Sequence, residues 1–251
     1  MTSKLKKFRK DILTVSFLNK SGHVPSAFSI LEILYYLYSE VLREEDSFFL
    51  SKGHGCLALY AVFLDLGFIT QEDFDSFSLY DSILGGHPDR NKIKGVLCSS
   101  GSLGHGLPMA IGAALSKKIQ KKCGNVYCLI GDGESNEGTT WESAILANHL
   151  KLENLICLVD NNNSQIRSVS TRTIKEKFIS FGWHVLEVNN GHDKSQVLNS
   201  FDNISQDKPT CIIFNTKKGH GIKEIEENMF AWHHRAPTEK EMEKFFKEMG
   251  E

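Results

Sequence analysis

Apolar residues recur at helical spacing along much of the chain and form short continuous runs elsewhere. The helical spacing predicts helices over residues 1–20, 26–42, 56–66, 71–77, 108–118 and 140–150, and a terminal helix from Glu239. Continuous apolar runs predict buried strands at 126–130, 155–159, 184–188 and 211–214. Since helices separate strands in this order, the pattern indicates an α/β fold with a mainly parallel sheet and helices on both faces.

Polar residues follow two consecutive predicted strands. Gly131-Asp132-Gly133 ends the first, and Asp160 to Asn163 ends the second. Ligands of parallel sheets bind at the carboxyl ends of the strands, so we expect Asp132 and Asn162 to converge. Their oxygens suit Mg²⁺ or Ca²⁺, and the glycines let backbone N–H groups approach a diphosphate. The alternative is an acidic turn followed by an Asn-rich loop, because Gly-Asp-Gly alone fills many turns.

Composition narrows the class of protein. The chain has 251 residues, 41% of them hydrophobic, and a net charge of −2. This amount of apolar material predicts one domain over residues 1–251. The near-neutral charge excludes a dedicated nucleic-acid binder, and no apolar run is long enough for a membrane helix. The six cysteines include no CxxC pair, so we expect mostly buried free thiols.

The start of the chain is basic and has two interpretations. It is either an amphipathic helix, with Phe8, Ile12, Leu13 and Val15 inward, or a transit peptide. We expect the helix and a cytoplasmic location.

Several motifs, in this order and spacing, resemble the amino-terminal, diphosphate-binding portion of transketolases. Residues 126–165, VYCLIGDGESNEGTTWESAILANHLKLENLICLVDNNNSQ, resemble the thiamine diphosphate motif of that family. The other matching segments are SGHVPSAFS, SKGHG, GGHP, GSLGHGLPMAIGAAL and WHHRAP. The resemblance runs through nearly the whole chain and implies thiamine diphosphate and Mg²⁺ as cofactors, with Ca²⁺ as a substitute.

The resemblance also implies roles for individual residues. Asp132, Asn162 and the backbone carbonyl of Ser164 would hold the metal ion. Gly133, beside Gly131, would meet the diphosphate. The remaining implied positions are Gly101, Ser102 and Leu103 beside the thiamine rings, His54 and His233 near the diphosphate and the reacting centre, His23 and His87 in the substrate channel, and Glu137 and Glu142 at the subunit interface.

Histidines suit this chemistry because sugar hydroxyls must lose and regain protons near neutral pH. His233 stands beside His234, so the register of this motif is open by one residue, and Arg235 could face either an anion or solvent. Two positions depart from the family pattern. Val24-Pro25 stands where the family has Pro-Gly, and Asn163 stands where a Gly is usual.

The pyrimidine-binding and carboxyl-terminal domains of transketolases have no counterpart in this sequence. We therefore expect a separately encoded partner chain and an α2β2 assembly acting on sugar phosphates, with no nucleic acid or membrane as partner. The leading hypothesis is transfer of a two-carbon ketol unit from a ketose phosphate to an aldose. The alternatives are a subunit of another thiamine diphosphate enzyme, either 1-deoxyxylulose-5-phosphate synthase-like or a 2-oxoacid decarboxylase or dehydrogenase, and a non-catalytic cofactor-binding scaffold.

Overall fold

The structure is a computed structural model that describes residues 2–165 and 173–250. Its helices in these residues are α1 (Ser3–Asn19), α2 (Val24–Tyr36), α3 (Cys56–Asp65), α4 (Gln71–Asp75), α5 (Gly106–Ile119), α6 (Gly138–His149), α7 (Ile174–Ser180), α8 (Lys194–Asp202), α9 (Lys223–Glu227) and α10 (Glu239–Glu248). The strands are β1 (Ser47–Leu50), β2 (Val126–Gly131), β3 (Leu155–Asn161), β4 (His184–Val188) and β5 (Thr210–Asn215).

The chain divides into two compact units. The first unit comprises residues 1–35, 53–99 and 217–251, and the second comprises residues 36–52 and 100–216. The prediction that residues 1–251 form one thiamine diphosphate-binding domain stays a prediction.

The second unit contains a five-stranded sheet in the order β1-β2-β3-β5-β4. All four strand pairs are parallel, and β2 is buried along its whole length. Helices lie around this sheet, with α5 against β2 and both α7 and α8 against β4. The predicted fold class, a parallel sheet with helices around it, is confirmed. Helix α6 connects the neighbouring strands β2 and β3, so the two strands that precede the predicted site residues end side by side.

The first unit is helical, and α1 packs against α3 and α10. The predicted inward face of α1 is confirmed, since Phe8, Ile12, Leu13 and Val15 are buried. Arg9, on the same helix, forms a buried ion pair with Glu32 of α2 at 2.7 Å. The helix predicted near Thr70 begins there because the Thr70 hydroxyl accepts the N–H of Asp73 and the Asp73 carboxylate accepts the N–H of Thr70.

The predicted strands and the helices of the motif-bearing segments are confirmed within a few residues. The helix predicted over 26–42 begins two residues earlier, and its last turn is a π-helix, Leu37–Val41. The apolar pattern did not predict β1, α7, α8 or α9. All six cysteines are free, and only Cys123 is exposed among them. Within the described ranges, no helix combines the length and apolar character that a bilayer crossing requires.

Candidate functional site

The ends of β2 and β3 bring two polar loops together in the second unit. Gly131 pairs with Asp160 in the sheet, so Asp132 and Asn162 both lie just beyond the last paired residues. The Ser164 hydroxyl donates to Oδ1 of Asp132 at 3.0 Å, and the Gln165 amide donates to the Asp132 carbonyl at 2.7 Å. The predicted convergence of the acidic loop and the amide loop is therefore present in the structure.

Asp132 carries a buried oxygen that has no hydrogen-bond partner among the described residues. Its Oδ1 accepts from the Gly133 N–H at 2.8 Å and from Ser164, whereas its Oδ2 is buried and receives no hydrogen bond from the described residues. Burial, and secondly the charge of Asp160, raise the pKa of the Asp132 carboxyl. An unsatisfied buried carboxylate oxygen is costly unless a cation or a donor meets it.

Asn162 and Ser164 form the other side of this site. The Asn162 Oδ1 accepts the Ser164 N–H at 2.9 Å, and its Nδ2 donates to Asp160 at 2.6 Å. Asn163, between them, has a left-handed backbone with φ of 59°. Asparagine tolerates this conformation better than most residues, which explains how the turn forms where the family usually has glycine. Ser164 turns its N–H and hydroxyl toward Asn162 and Asp132, and the predicted role of its carbonyl stays a prediction.

The donor set and the charges of this region fit a divalent cation. Asp132, Glu134 and Asp160 are buried carboxylates within a few residues of the strand ends, and Lys52 is the buried cation that pairs with Asp160. Carboxylate and amide oxygens are the ligands that Mg²⁺ and Ca²⁺ prefer. Beside them, a Cβ added to Gly133 would meet no atom within 4 Å. That open space would let a phosphate group approach the backbone of Gly133.

Glu134 ties three segments of the second unit together. Its Oε1 accepts from the Ser51 hydroxyl and from the Gly104 N–H at 2.8 Å, and its Oε2 accepts from the Gly131 N–H at 3.2 Å. Burial raises the pKa of this carboxyl. Gly104 follows the predicted ring-bordering residues and has φ of +84°, and a Cβ there would lie 2.4 Å from the Thr139 hydroxyl. This position therefore requires glycine.

The other residues predicted in the second unit lie at its surface. Gly101 and Ser102 are exposed and Leu103 is half-buried. Glu137 and Glu142 are exposed, and the predicted interface role of both stays a prediction.

Three buried charged residues of the site were not predicted from the sequence. Lys52, Glu134 and Asp160 all stand inside or beside the quoted motifs, yet no role was assigned to them. The sequence offers one local sign of a role for them: each is a charged residue next to a glycine or at the end of a strand.

The first unit gathers the predicted histidines into a cluster. The His23 ring contacts the rings of His54, His233 and His234, with centroid separations of 5.6, 5.5 and 4.4 Å. The rings of both His233 and His234 contact the ring of His23, so both residues belong to the cluster. The one-residue ambiguity of the WHHRAP motif therefore excludes neither of them. Burial, above all, lowers the pKa of His23 to about 4. The imidazole of His23 is therefore neutral at neutral pH.

Two further basic residues border this cluster. The Nζ of Lys218, a buried residue that the motifs did not single out, lies 3.4 Å from Nδ1 of His233. Burial and then the Lys218 charge lower the pKa of His233, and burial lowers that of His87. Arg235 donates two hydrogen bonds to Glu241, at 3.1 and 2.6 Å, and stacks 3.6 Å above the Trp232 ring. Arg235 thus faces a carboxylate of its own chain.

Comparison with known proteins places these motifs in a family. Residues 11–250 match the family model described as transketolase, thiamine diphosphate binding domain. The chain is similar to one of the subunits of the apulose-4-phosphate transketolase of Phocaeicola vulgatus, with 34% identity across 98% of this chain and 92% of that protein. It is also similar to the 6-deoxy-6-sulfo-D-fructose transketolase subunit SqwG of a Clostridium strain, with 34% identity across 87% of this chain and 84% of that protein.

Solved structures give the same result. The transketolase from Leishmania mexicana matches with a TM-score of 0.87 and 27% identity across 100% of this chain. The transketolase from Campylobacter jejuni matches with a TM-score of 0.85 and 28% identity across 98% of this chain. In both comparisons this chain spans 42% of the solved chain.

Proposed function

Because the chain belongs to the transketolase family of thiamine diphosphate-binding domains, we propose that it is the diphosphate-binding subunit of a split transketolase. Two relatives named as transketolase subunits match it over most of their length, whereas the solved transketolases are more than twice as long. A separately encoded chain would supply the pyrimidine-binding and carboxyl-terminal domains, and two copies of each chain would form an α2β2 assembly. Free, mostly buried cysteines support a reducing compartment, the cytoplasm.

The observation that carries this proposal is the buried Oδ2 of Asp132, which has no hydrogen-bond partner in residues 2–165 and 173–250. Asp132 and Asn162 would hold Mg²⁺, or Ca²⁺ in its place, with the Ser164 carbonyl as a third ligand. The backbone of Gly133, whose N–H donates to Asp132 in this structure, would approach the diphosphate, and Gly131, His54 and Glu137 would complete the cofactor's surroundings with residues 101–103. Thiamine diphosphate, when bound, supplies the electron sink that lets a carbon–carbon bond of a ketose break and form again.

The histidine cluster would bind the sugar. A neutral imidazole accepts a hydrogen bond or a proton from a hydroxyl at one nitrogen while donating from the other. His23, His54, His87 and His233 would therefore orient the hydroxyls of the substrate and exchange their protons. Lys218 beside His233 adds positive charge that favours an anionic substrate. The named substrates of the two relatives, apulose 4-phosphate and a sulfonated fructose, are both anionic sugars, which supports a ketose phosphate as donor.

The test is ketol transfer by the assembled enzyme. The full chain and its pyrimidine-binding partner are mixed with thiamine diphosphate and Mg²⁺, and fructose 6-phosphate and related ketose phosphates are supplied with aldose acceptors. We expect transfer that Asp132→Ala abolishes and that Asp202→Ala, a change at an exposed carboxylate, leaves intact. Release of CO₂ from pyruvate without ketol transfer would instead establish one of the other thiamine diphosphate chemistries. Cofactor binding by calorimetry with neither ketol transfer nor CO₂ release would instead favour the non-catalytic cofactor-binding scaffold.

A further inference from the structure

Asp160, the penultimate residue of β3, is the centre of a buried polar group in the second unit. Its Oδ2 accepts from the Lys52 ammonium and from the Asn162 Nδ2 at 2.6 Å, and its Oδ1 accepts from the Thr216 hydroxyl at 2.5 Å. Asp160 and Lys52 are 0% and 1% exposed. A buried ion pair of this kind contributes little net stability. Its effect here is on the geometry of the neighbouring side chains.

The geometry imposed is the orientation of the Asn162 amide. An amide can turn by half a rotation and exchange its oxygen with its NH₂ group at almost no change in shape. Here the turned amide would place its oxygen against the Asp160 carboxylate and its NH₂ against the Ser164 N–H, which is now 2.9 Å from the amide oxygen. Both contacts would be repulsive. Asp160 therefore holds the amide oxygen on the side of Ser164, the residue that contacts Asp132.

Lys52 pairs with one of the two neighbouring carboxylates of this region, Asp160, and not with the other, Asp132. The carboxylates of Asp132 and Asp160 lie near each other: after burial, the charge of Asp160 is the next cause that raises the pKa of the Asp132 carboxyl. The Lys52 ammonium pairs with Asp160, while the Oδ2 of Asp132 receives no hydrogen bond from the described part of the chain. Lys52 is therefore paired with Asp160, and the buried Oδ2 of Asp132 is the carboxylate oxygen that a cation can contact.

We propose that Asp160 and Lys52 are positioning residues for a divalent cation held by Asp132 and Asn162. Asp160 presents the oxygen of the Asn162 amide rather than its NH₂ group, and Lys52 fixes the Asp160 carboxylate. This inference rests on the cation site of the proposed function. Residues that orient the ligands of a metal ion contribute roughly tenfold to a hundredfold to its affinity.

The test measures cation binding by the full chain. Mg²⁺ is titrated by calorimetry in the presence of saturating thiamine diphosphate, and circular dichroism establishes that each variant is folded. Asp160→Asn and Lys52→Met should weaken Mg²⁺ binding at least tenfold, and Lys52→Arg should restore most of it. Thr216→Val is the matched control: it removes a hydrogen bond to the same carboxylate but not the one that orients Asn162, so we expect less than a threefold change.

A second readout reports the amide itself. In ¹⁵N-labelled protein the Asn162 side-chain NH₂ should give one hydrogen-bonded resonance pair in the parent chain and a shifted or doubled pair in Asp160→Asn. Equal Mg²⁺ affinity of the folded Asp160→Asn chain and the parent, with an unchanged amide, would overturn this inference alone. Absence of Mg²⁺ binding by the parent chain, both alone and with its pyrimidine-binding partner, would overturn the cation site, and with it the proposed function as well.

Discussion

The Nδ1 atom of His23 lies 2.8 Å from the carbonyl oxygen of His233. A carbonyl oxygen accepts hydrogen bonds and cannot donate them, so Nδ1 must carry the proton. In the neutral ring Nε2 is then an acceptor. The backbone of the His233 segment thus fixes the tautomer of His23, and it leaves the ring with a nitrogen that can accept a hydrogen bond or a proton.

We predict that His23 stays neutral far below the usual pH range of histidine. Burial lowers its pKa from 6.5 to about 4. In ¹H–¹⁵N spectra of the full chain, the His23 ring should show the Nδ1–H tautomer at pH 7 and titrate with a midpoint near pH 4. The variant His23→Gln lacks the resonance and so assigns it. An Nε2–H tautomer, or a midpoint near 6.5, would contradict the arrangement described.

The same shift has a consequence for stability. Between pH 6.5 and about 4 the unfolded chain binds a proton at His23 that the folded chain does not, so acidification through this window destabilises the fold. The parent chain should therefore lose more thermal stability than His23→Gln over this window. Equal losses would show that His23 is not buried in its neutral form.

We predict that replacing the Asp132 carboxylate stabilises the folded chain in the absence of ligand and abolishes its binding of Mg²⁺ with thiamine diphosphate. Without a cation, its buried Oδ2 receives no hydrogen bond from the part of the chain that the structure describes, and the carboxylate lies near that of Asp160. Asp132→Asn removes the charge, and we expect it to raise the free energy of unfolding by about 1 kcal/mol at pH 7 in the presence of a chelator. Urea denaturation measures this change.

The second half of this prediction concerns the effect of ligand on the unfolding midpoint. Mg²⁺ with thiamine diphosphate should raise the unfolding midpoint of the parent chain and leave that of Asp132→Asn unchanged, because binding to the native state alone stabilises it. If Asp132→Asn destabilises the chelated protein by more than about 1 kcal/mol, the size of a hydrogen bond, then the carboxylate is satisfied by the protein itself.

Elements with strong periodicity could be predicted from the sequence, and those without it could not. Strand β1, Ser47–Leu50, follows a charged turn and has four residues. A strand of this length is too short to show a repeat of apolar positions. Helix α8 does have a signal in the sequence: Asp193 precedes it, and its side chain accepts the Gln196 N–H. The π-helical turn after α2 depends on a local change of hydrogen bonding that apolar spacing does not encode.

The site followed a similar division. The convergence of the loops that carry Asp132 and Asn162 could be predicted because topology places the ends of parallel strands together, whereas their role as metal ligands stays a prediction. The pairing of Lys52 with Asp160, and of Ser51 with Glu134, joins residues that are far apart in sequence and has no local pattern. Burial of the charges decides these pairs, and burial is known only when the fold is known.

Tyr60 should hold the loop that carries His87. Its hydroxyl donates to the Gly85 carbonyl at 3.0 Å, and the neighbouring Cys56 thiol, whose pKa burial raises to about 12, lies 3.2 Å from the Gly86 carbonyl. Tyr60→Phe should cost about 1 kcal/mol of stability and speed hydrogen exchange in the segment around Gly85 to His87. Mass spectrometry of peptides measures the exchange.

The control for this prediction is another tyrosine in the same unit. Tyr80 is 99% exposed, so Tyr80→Phe removes a hydroxyl without changing a buried contact. Its exchange and stability should match the parent. Unchanged exchange around His87 in Tyr60→Phe would show that the backbone of the loop, rather than α3, sets its position.

Glu134 should be the most sensitive carboxylate of the second unit to truncation. It accepts hydrogen bonds from the backbone N–H groups of Gly104 and Gly131 as well as from Ser51. Glu134→Ala leaves two buried N–H groups without an acceptor and opens a cavity, and we expect a loss of about 3 kcal/mol in the free energy of unfolding. Glu134→Gln keeps one acceptor oxygen and the shape of the side chain, so it should lose less.

Urea denaturation of the full chain gives both values, and Glu243→Gln, at an exposed position, should change stability by less than about 0.5 kcal/mol. If Glu134→Ala unfolds at the parent's midpoint, the three segments are held together by packing around Gly104, where no side chain fits, and not by the carboxylate.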